Sequence, residues 1–167
     1  MRLNVINRKV HYWITAVVAL PVLVVVGSGL LLQVKKHWDW VQPETQRGTG
    51  TAPAIGFEDL LASVQALPGG AVAGWDDVDR VDVRPGKGVA KVRLRDGREV
   101  QVDLGTGAVL QTAVRRSDLI ESIHDGSFFA GDLGKLGIFL PSGVALLVLW
   151  LTGLWLIPLI VLPVMAL

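Results

Sequence analysis

Two long apolar blocks bracket this chain, and a patterned stretch of mixed polarity lies between them. Residues 12 to 34, YWITAVVALPVLVVVGSGLLLQV, carry no charge. At about 1.5 Å of rise per residue, such a run crosses a hydrocarbon core of about 30 Å as a single helix. Residues 136 to 167 are also uncharged and longer than one crossing needs. Tilt, a kink at Pro158 or Pro163, or a frayed end takes up the remainder. A cleaved secretory signal has an apolar part of about 7–15 residues and ends at a small-residue cleavage site. The first run is longer and ends in Lys35, Lys36 and His37, so it reads as a retained anchor.

Between the blocks, GFEDLLASVQAL sets Phe57, Leu60, Leu61, Val64 and Leu67 at helical spacing, and Pro68-Gly69-Gly70 stops the helix. From Val78 the period shortens to two. VDRVDV, GVAKVRL, REVQVDL and AVLQTAV alternate, separated by the turn signals RPGKG, RDGR and GTG. The pattern predicts an antiparallel meander with the amphipathic helix on its apolar face. The fold class is therefore an α+β membrane protein, with two transmembrane helices flanking an extracytoplasmic helix plus antiparallel β-meander. A module of about 60 residues buries a marginal core, so docking against the membrane-facing segments or a partner is expected.

The connecting segments complete a division into five parts. Residues 1–37 are a cytoplasmic N-terminus and transmembrane helix 1, and 38–55 a membrane-proximal collar and linker in which Trp38 and Trp40 suit an interfacial belt. Residues 56–114 form the α/β module, 115–135 an interfacial amphipathic helix and loop, and 136–167 transmembrane helix 2. In 115–135, Ser117 is placed to cap a helix whose Leu119, Ile120 and Ile123 share one side. Asp118, Glu121 and Asp125 face away from it, and Phe128 and Phe129 dip into the membrane surface.

Charge sets the orientation. The first ten residues hold Arg2, Arg8 and Lys9 and no acid, which places the N-terminus in the cytoplasm. Two spans return the C-terminus to the same side, with the central domain periplasmic and the protein in a bacterial inner membrane. A net charge of +1 gives no electrostatic case for nucleic acid, and with no cysteine the outer domain relies on no disulfide.

Candidate chemistry centres on three histidines. A six-coordinate b haem needs two imidazoles at one depth on facing elements. His11 and His37 sit at opposite ends of one helix, so His37 with His124 is the intrachain pair to consider, with Trp38, Trp40, Phe128 and Phe129 as walls. The plainer reading makes His124 the residue that orients the surface helix through Asp125 or the backbone. It puts His37 in the tryptophan belt and makes His11 an interfacial anchor, with an intersubunit ligand as the alternative for His11. Asp76, Asp77 and Asp79 lack the spacing of a calcium loop and read as a solvated turn. No nucleophile with a base, no phosphate loop and no metal site can be read. In the spans, Gly27, Ser28 and Gly29, and Thr152 with Gly153, are small enough to let helices approach. Trp150 and Trp155 offer large surfaces to lipid or another subunit.

The stretches RKVHYW, KKHWDWVQPETQRG, DVDRVDVRPGKGVAKV, REVQVDLGTGAVL, RRSDLIESIHDGSFF and LWLTGLW together cover nearly the whole chain. In them the chain resembles the small PepSY-associated transmembrane-helix proteins, in which a PepSY-like helix-and-sheet module is inserted between membrane spans. The resemblance implies larger relatives linked to ferric-siderophore reduction, with span histidines holding b-type haem, and soluble PepSY modules associated with peptidase inhibition. This chain departs from the larger relatives in having two spans and three histidines. The function expected is that of a non-enzymatic accessory or stabilising subunit, without a cofactor, of an electron-transfer or photosynthetic-type membrane assembly. Its partners would be the lipid bilayer and other integral membrane subunits. The alternatives are a haem b subunit of a ferric-siderophore or metal reductase, with His37 and His124 as ligands, and a peptidase-inhibitory module.

Overall fold

The computed structural model describes residues 2–68 and 72–165, with side chains described for 5–68 and 72–155. The chain divides into two compact units, one made of the residues up to Leu32 together with those from Leu119 on, the other of Gln33–Asp118.

The helical unit is built from α1 (Arg2–Gln33), most of α3 (Ser117–Asp125), α4 (Ser127–Gly134) and α5 (Leu140–Met165). Two stretches, Val5–Gln33 and Ser127–Trp155, are helical, long and apolar enough to cross a membrane, and only 11% of each hydrophobic window is buried within the chain itself. The helical run of the second stretch takes in Phe128, Phe129 and Leu133 ahead of α5. That run is not straight. Ala130 and Gly131 leave helical φ/ψ inside α4, and Lys135–Phe139 form a π-helical turn before α5. α5 continues through Pro158 and Pro163 to Met165. The side chains of those prolines, residues 166–167 at the C-terminus, where fraying was one of the alternatives, and Gly69 and Gly70 after α2 lie outside the described residues.

With no water to satisfy them, hydroxyls in the spans return to their own helix. Thr15 donates to His11 O at 2.8 Å, Ser28 to Val24 O at 2.6 Å, Ser142 to Ile138 O at 2.7 Å and Thr152 to Val148 O at 2.9 Å.

The second unit carries α2 (Phe57–Gln65) and a four-stranded antiparallel meander in the order β1 (Val78–Arg84), β2 (Val89–Leu94), β3 (Arg98–Asp103), β4 (Val109–Val114). α2 starts where Asp59 turns back to accept the Gly56 N–H at 2.9 Å, with Glu58 and Asp59 favourable in the first turn. The registers Val81↔Val92, Val92↔Val100 and Val100↔Thr112 stack the alternating valines on one face. There Ala90, Val92, Leu94, Val100, Val102 and Leu104 pack with Leu60 and Val64 of α2, the core the periodicity predicts.

The opposite face differs from expectation. It presents Lys91, Glu99, Gln101 and Asp103, all buried, where a one-sided meander would leave them wet. The cover is the segment expected to be a linker. Gln46 N–H donates to Gln101 Oε1 at 2.7 Å, Gln101 Nε2 donates to Glu44 O at 2.8 Å, and the Thr49 N–H and hydroxyl donate to Asp103. Gly48 N–H joins Lys87 O at 2.9 Å. Gly50 lies directly on Gly105, since a Cβ at position 50 would meet Gly105 Cα and N at 2.6 Å. Residues 44–50 are thus a strap on the polar face.

Candidate functional site

In the helical unit the structure ties two of the three histidines to hydroxyls on another helix. His11 Nδ1 of α1 lies 3.2 Å from Thr152 Oγ1 of α5, and His124 Nδ1 of α3 lies 3.0 Å from Ser28 Oγ of α1. Each hydroxyl has one proton and has already given it to a carbonyl four residues back. Each oxygen therefore accepts, and the imidazole donates through Nδ1–H. In the neutral ring this leaves Nε2 as the lone-pair nitrogen.

The small residues expected to let helices meet serve here to seat rings. A Cβ at Gly29 would stand 3.3 Å from His124 Cε1, and one at Gly153 would stand 4.0 Å from His11 Cε1. His124 was expected to engage Asp125 or the backbone. Instead Asp125 is taken by the Ser127 hydroxyl at 2.7 Å and by Lys135 Nζ at 2.9 Å, which leaves Ser28 as the histidine's partner. Those contacts, led by Lys135 and followed by Ser127, lower the Asp125 carboxyl to about 2. His124, Asp125 and Lys135 help to line an otherwise apolar groove of about 330 Å³ with Val22, Leu136, Phe139 and Leu146.

The aromatic candidates are exposed. Phe128 packs edge-on against Phe129, which stacks on Phe139 with ring centroids 5.8 Å apart. Trp150 and Trp155 stand 61% and 71% exposed on α5.

In the sheet unit, His37 is exposed on the turn after α1. Trp38 and Trp40 pack together, and Arg116 lies 4.8 Å over the Trp40 ring while donating to Trp40 O. Ser117 N–H donates to Val41 O at 2.8 Å, so the collar is pinned to the start of α3. Asp118, expected to face solvent, takes Arg115 Nε at 2.8 Å, with Arg93 at 3.5 Å and Arg80 at 3.8 Å. Behind it, the fully buried Glu99 accepts from Lys91 at 2.8 Å, Gln101 at 2.9 Å and Arg115 at 3.0 Å. At the other end of the strap, backbone N–H groups of Gly105 and Thr49, joined by the Thr49 hydroxyl, hold the Asp103 carboxyl below its ordinary range against the opposing effect of burial. Asp77 closes its own turn by accepting from Ala73 N–H, and Asp79 pairs with Arg80.

The sequence reading missed both the Ser28–His124 tie and the charge cluster. The hydroxyl tie leaves no periodic signature. Lys91 and Glu99 look like ordinary outward strand positions, although both are buried.

Neither unit supplies two facing imidazoles. His11 and the partner of His124, Ser28, are separated along α1 by about 25 Å at helical rise, and His37 falls in the unit that holds no other histidine. Within either unit, then, the described residues do not fit a six-coordinate haem.

Comparison with known proteins places this architecture. The description "PepSY-associated TM region" matches residues 8–161, from within α1 to within α5. The chain belongs to the PepSY-associated TM family. The matched residues take in both apolar helices and the module between them, and the family together with those helices makes this a membrane protein. No curated protein and no solved structure matches the chain.

Proposed function

We propose that this PepSY-associated TM protein is a non-enzymatic accessory subunit of an inner-membrane complex concerned with electron transfer. In this reading its spans pack against partner subunits and its module braces them from the periplasmic side. The supporting observation is the surface of the spans. Only 11% of each apolar window is covered by the chain, and broad rings face outward, with Trp13 at 66%, Trp150 at 61% and Trp155 at 71% exposure. Aromatic rings of this size are the side chains that anchor membrane interfaces and helix contacts. Arg8 and Lys9 in α1, with no acid among the first ten residues, support a cytoplasmic N-terminus.

A second reading, a b-haem subunit, draws on the histidine clasps. An imidazole held through Nδ1–H by a second group is oriented as metal-bound histidines are, with Nε2 left for the metal. Neither unit by itself pairs two such rings.

One preparation tests both readings. The protein is purified in mild detergent from its own membranes, sized on a native gel, and recorded as a dithionite-reduced minus oxidised spectrum. The accessory reading expects a band well above the chain's own micelle, lost in the Trp150→Ala/Trp155→Ala variant, and no haem signal that depends on His124. Migration of the wild type as a bare micelle would overturn it. A b-type band that vanishes in His124→Ala would replace it with the haem reading.

A further inference from the structure

The groove beside His124 has a shape and a chemistry of its own. It lies wholly within the helical unit, between α1 and the run that leads into α5. Leu136, Leu140, Gly143 and Leu146 recur at helical spacing along one wall, and Val22 and Val25 of α1 supply the other. From Lys135 to Leu146, at about 1.5 Å of rise per residue, the groove follows its helix for about 16 Å, the depth of one leaflet of a hydrocarbon core of about 30 Å. Spread over that length, about 330 Å³ leaves a mean cross-section of about 20 Å². A helix about 10 Å across needs about 80 Å². The groove therefore excludes a partner's span and admits a single polymethylene chain.

The order of residues along both helices gathers the polar groups. His124 is tied to Ser28, which follows Val22 and Val25 on α1, and Lys135 precedes Leu136 on the other wall. The imidazole meets α1 at Ser28 and Gly29 along its Nδ1–Cε1 edge and gives its proton to Ser28. Nε2 keeps its lone pair, and among the described residues no donor reaches it. Lys135 spends one of three N–H bonds on Asp125. That pair is balanced in charge, and Asp132 also acts electrostatically on Lys135, so an anionic head gains no net attraction. The head that fits is itself balanced, with an anion for the remaining Lys135 protons and a cation that has N–H bonds to give.

We propose that this groove is a binding site for phosphatidylethanolamine, with one acyl chain along α5, the phosphate accepting from Lys135, and the ammonium donating to His124 Nε2 and the Asp125 carboxylate. Phosphatidylcholine carries the same charges but has no N–H to donate. Phosphatidylglycerol brings an uncompensated negative charge to a balanced pair. Each lacks one half of the complement, and charge-assisted hydrogen bonds are the strong ones. Gly143 keeps the groove open, since a Cβ there would meet nothing within 4 Å. A side chain added at that position enters the space the acyl chain takes and displaces no other part of the protein.

The inference stands apart from the accessory role, because its test contains no other protein. The full chain is reconstituted in vesicles of phosphatidylethanolamine, phosphatidylcholine and phosphatidylglycerol in equal parts with identical acyl chains. It is recovered in dodecyl maltoside, washed free of bulk lipid and weighed by native mass spectrometry. The expected result is a single phosphatidylethanolamine retained per chain, favoured at least about ten-fold over either competitor, the factor that one hydrogen bond to a charged group supplies. Gly143→Leu should lose the lipid while melting at or above the wild-type temperature in the same detergent, because leucine is also the better helix former. Equal retention of phosphatidylethanolamine and phosphatidylcholine, a preference for phosphatidylglycerol, or no retained lipid overturns the proposal. Full retention by folded Gly143→Leu overturns it as well. The wild-type competition decides the question even where the leucine variant proves unstable.

Discussion

Replacing Glu99 by glutamine tests the buried charge cluster most directly. The side chain is nearly isosteric, so the perturbation is loss of one negative charge at a fully buried site. Glu99 serves three donors, and they do not lose equally. Arg115 keeps Asp118 at 2.8 Å, and Gln101 keeps Glu44 O at 2.8 Å and Gln111 at 3.1 Å. Lys91, with a fully buried side chain, has Glu99 as its ion-pair partner and is left with an uncompensated ammonium. Breaking a buried pair from one side costs about 3–5 kcal/mol, whereas removing both charges is often near neutral. Glu99→Gln should therefore destabilise the sheet unit by about 3–5 kcal/mol, and adding Lys91→Met should restore at least about 1 kcal/mol of that loss. An Ala90→Cys background, with position 90 fully buried, reports unfolding of the sheet in urea as the rate of thiol labelling, free of interference from native cysteine. A loss below about 1 kcal/mol in Glu99→Gln, or a double variant no more stable than the single, would refute the reasoning.

Two further predictions concern the strap. Gly50→Ala puts a methyl group against the Gly105 backbone, which has no side chain to move aside, so trypsin should cut after Arg47 at least several-fold faster than in wild type while amide exchange in β2 stays unchanged. Because the folded Asp103 carboxyl is depressed, its contribution to strap docking is complete above the unfolded aspartate value of about 4 and fades as the pH falls from there through the lower folded value. Hydrogen exchange followed by mass spectrometry should show peptides 44–50 loosening relative to 89–94 across that acid range, and Asp103→Asn should be loose at neutral pH already.

Much of the fold was legible because it rests on two periods. The uncharged runs predicted the spans, and the alternation predicted the strands and a helix-covered apolar face, which Val92, Val100 and Val102 occupy. Tertiary cover was not legible. QPETQRGTG has the Pro, Gly and Thr content of a linker, and only its donors matched to Gln101 and Asp103, residues more than fifty positions away, make it a strap. The site was legible in its residue types but not in its pairings. His11, His124, Ser28 and Thr152 all stood out, the histidines as candidate ligands and the small residues as packing sites. That they join as histidine with hydroxyl depends on helix rotation, which an apolar run with little amphipathic contrast does not encode.

The strap also bears on the order in which the sheet unit assembles. Each hairpin closes over a few residues, whereas the bonds from Gln46 and Thr49 to the sheet close loops with sequence separations of 55 and 54. Loop-closure entropy rises with length, and long-range contacts are made late in folding. The strap leaves the ribosome before the strands it covers, yet it has nothing to bind until β2 and β3 have paired. The meander therefore forms first with Gln101 and Asp103 still hydrated, and docking of residues 44–50 is the late step that supplies their partners.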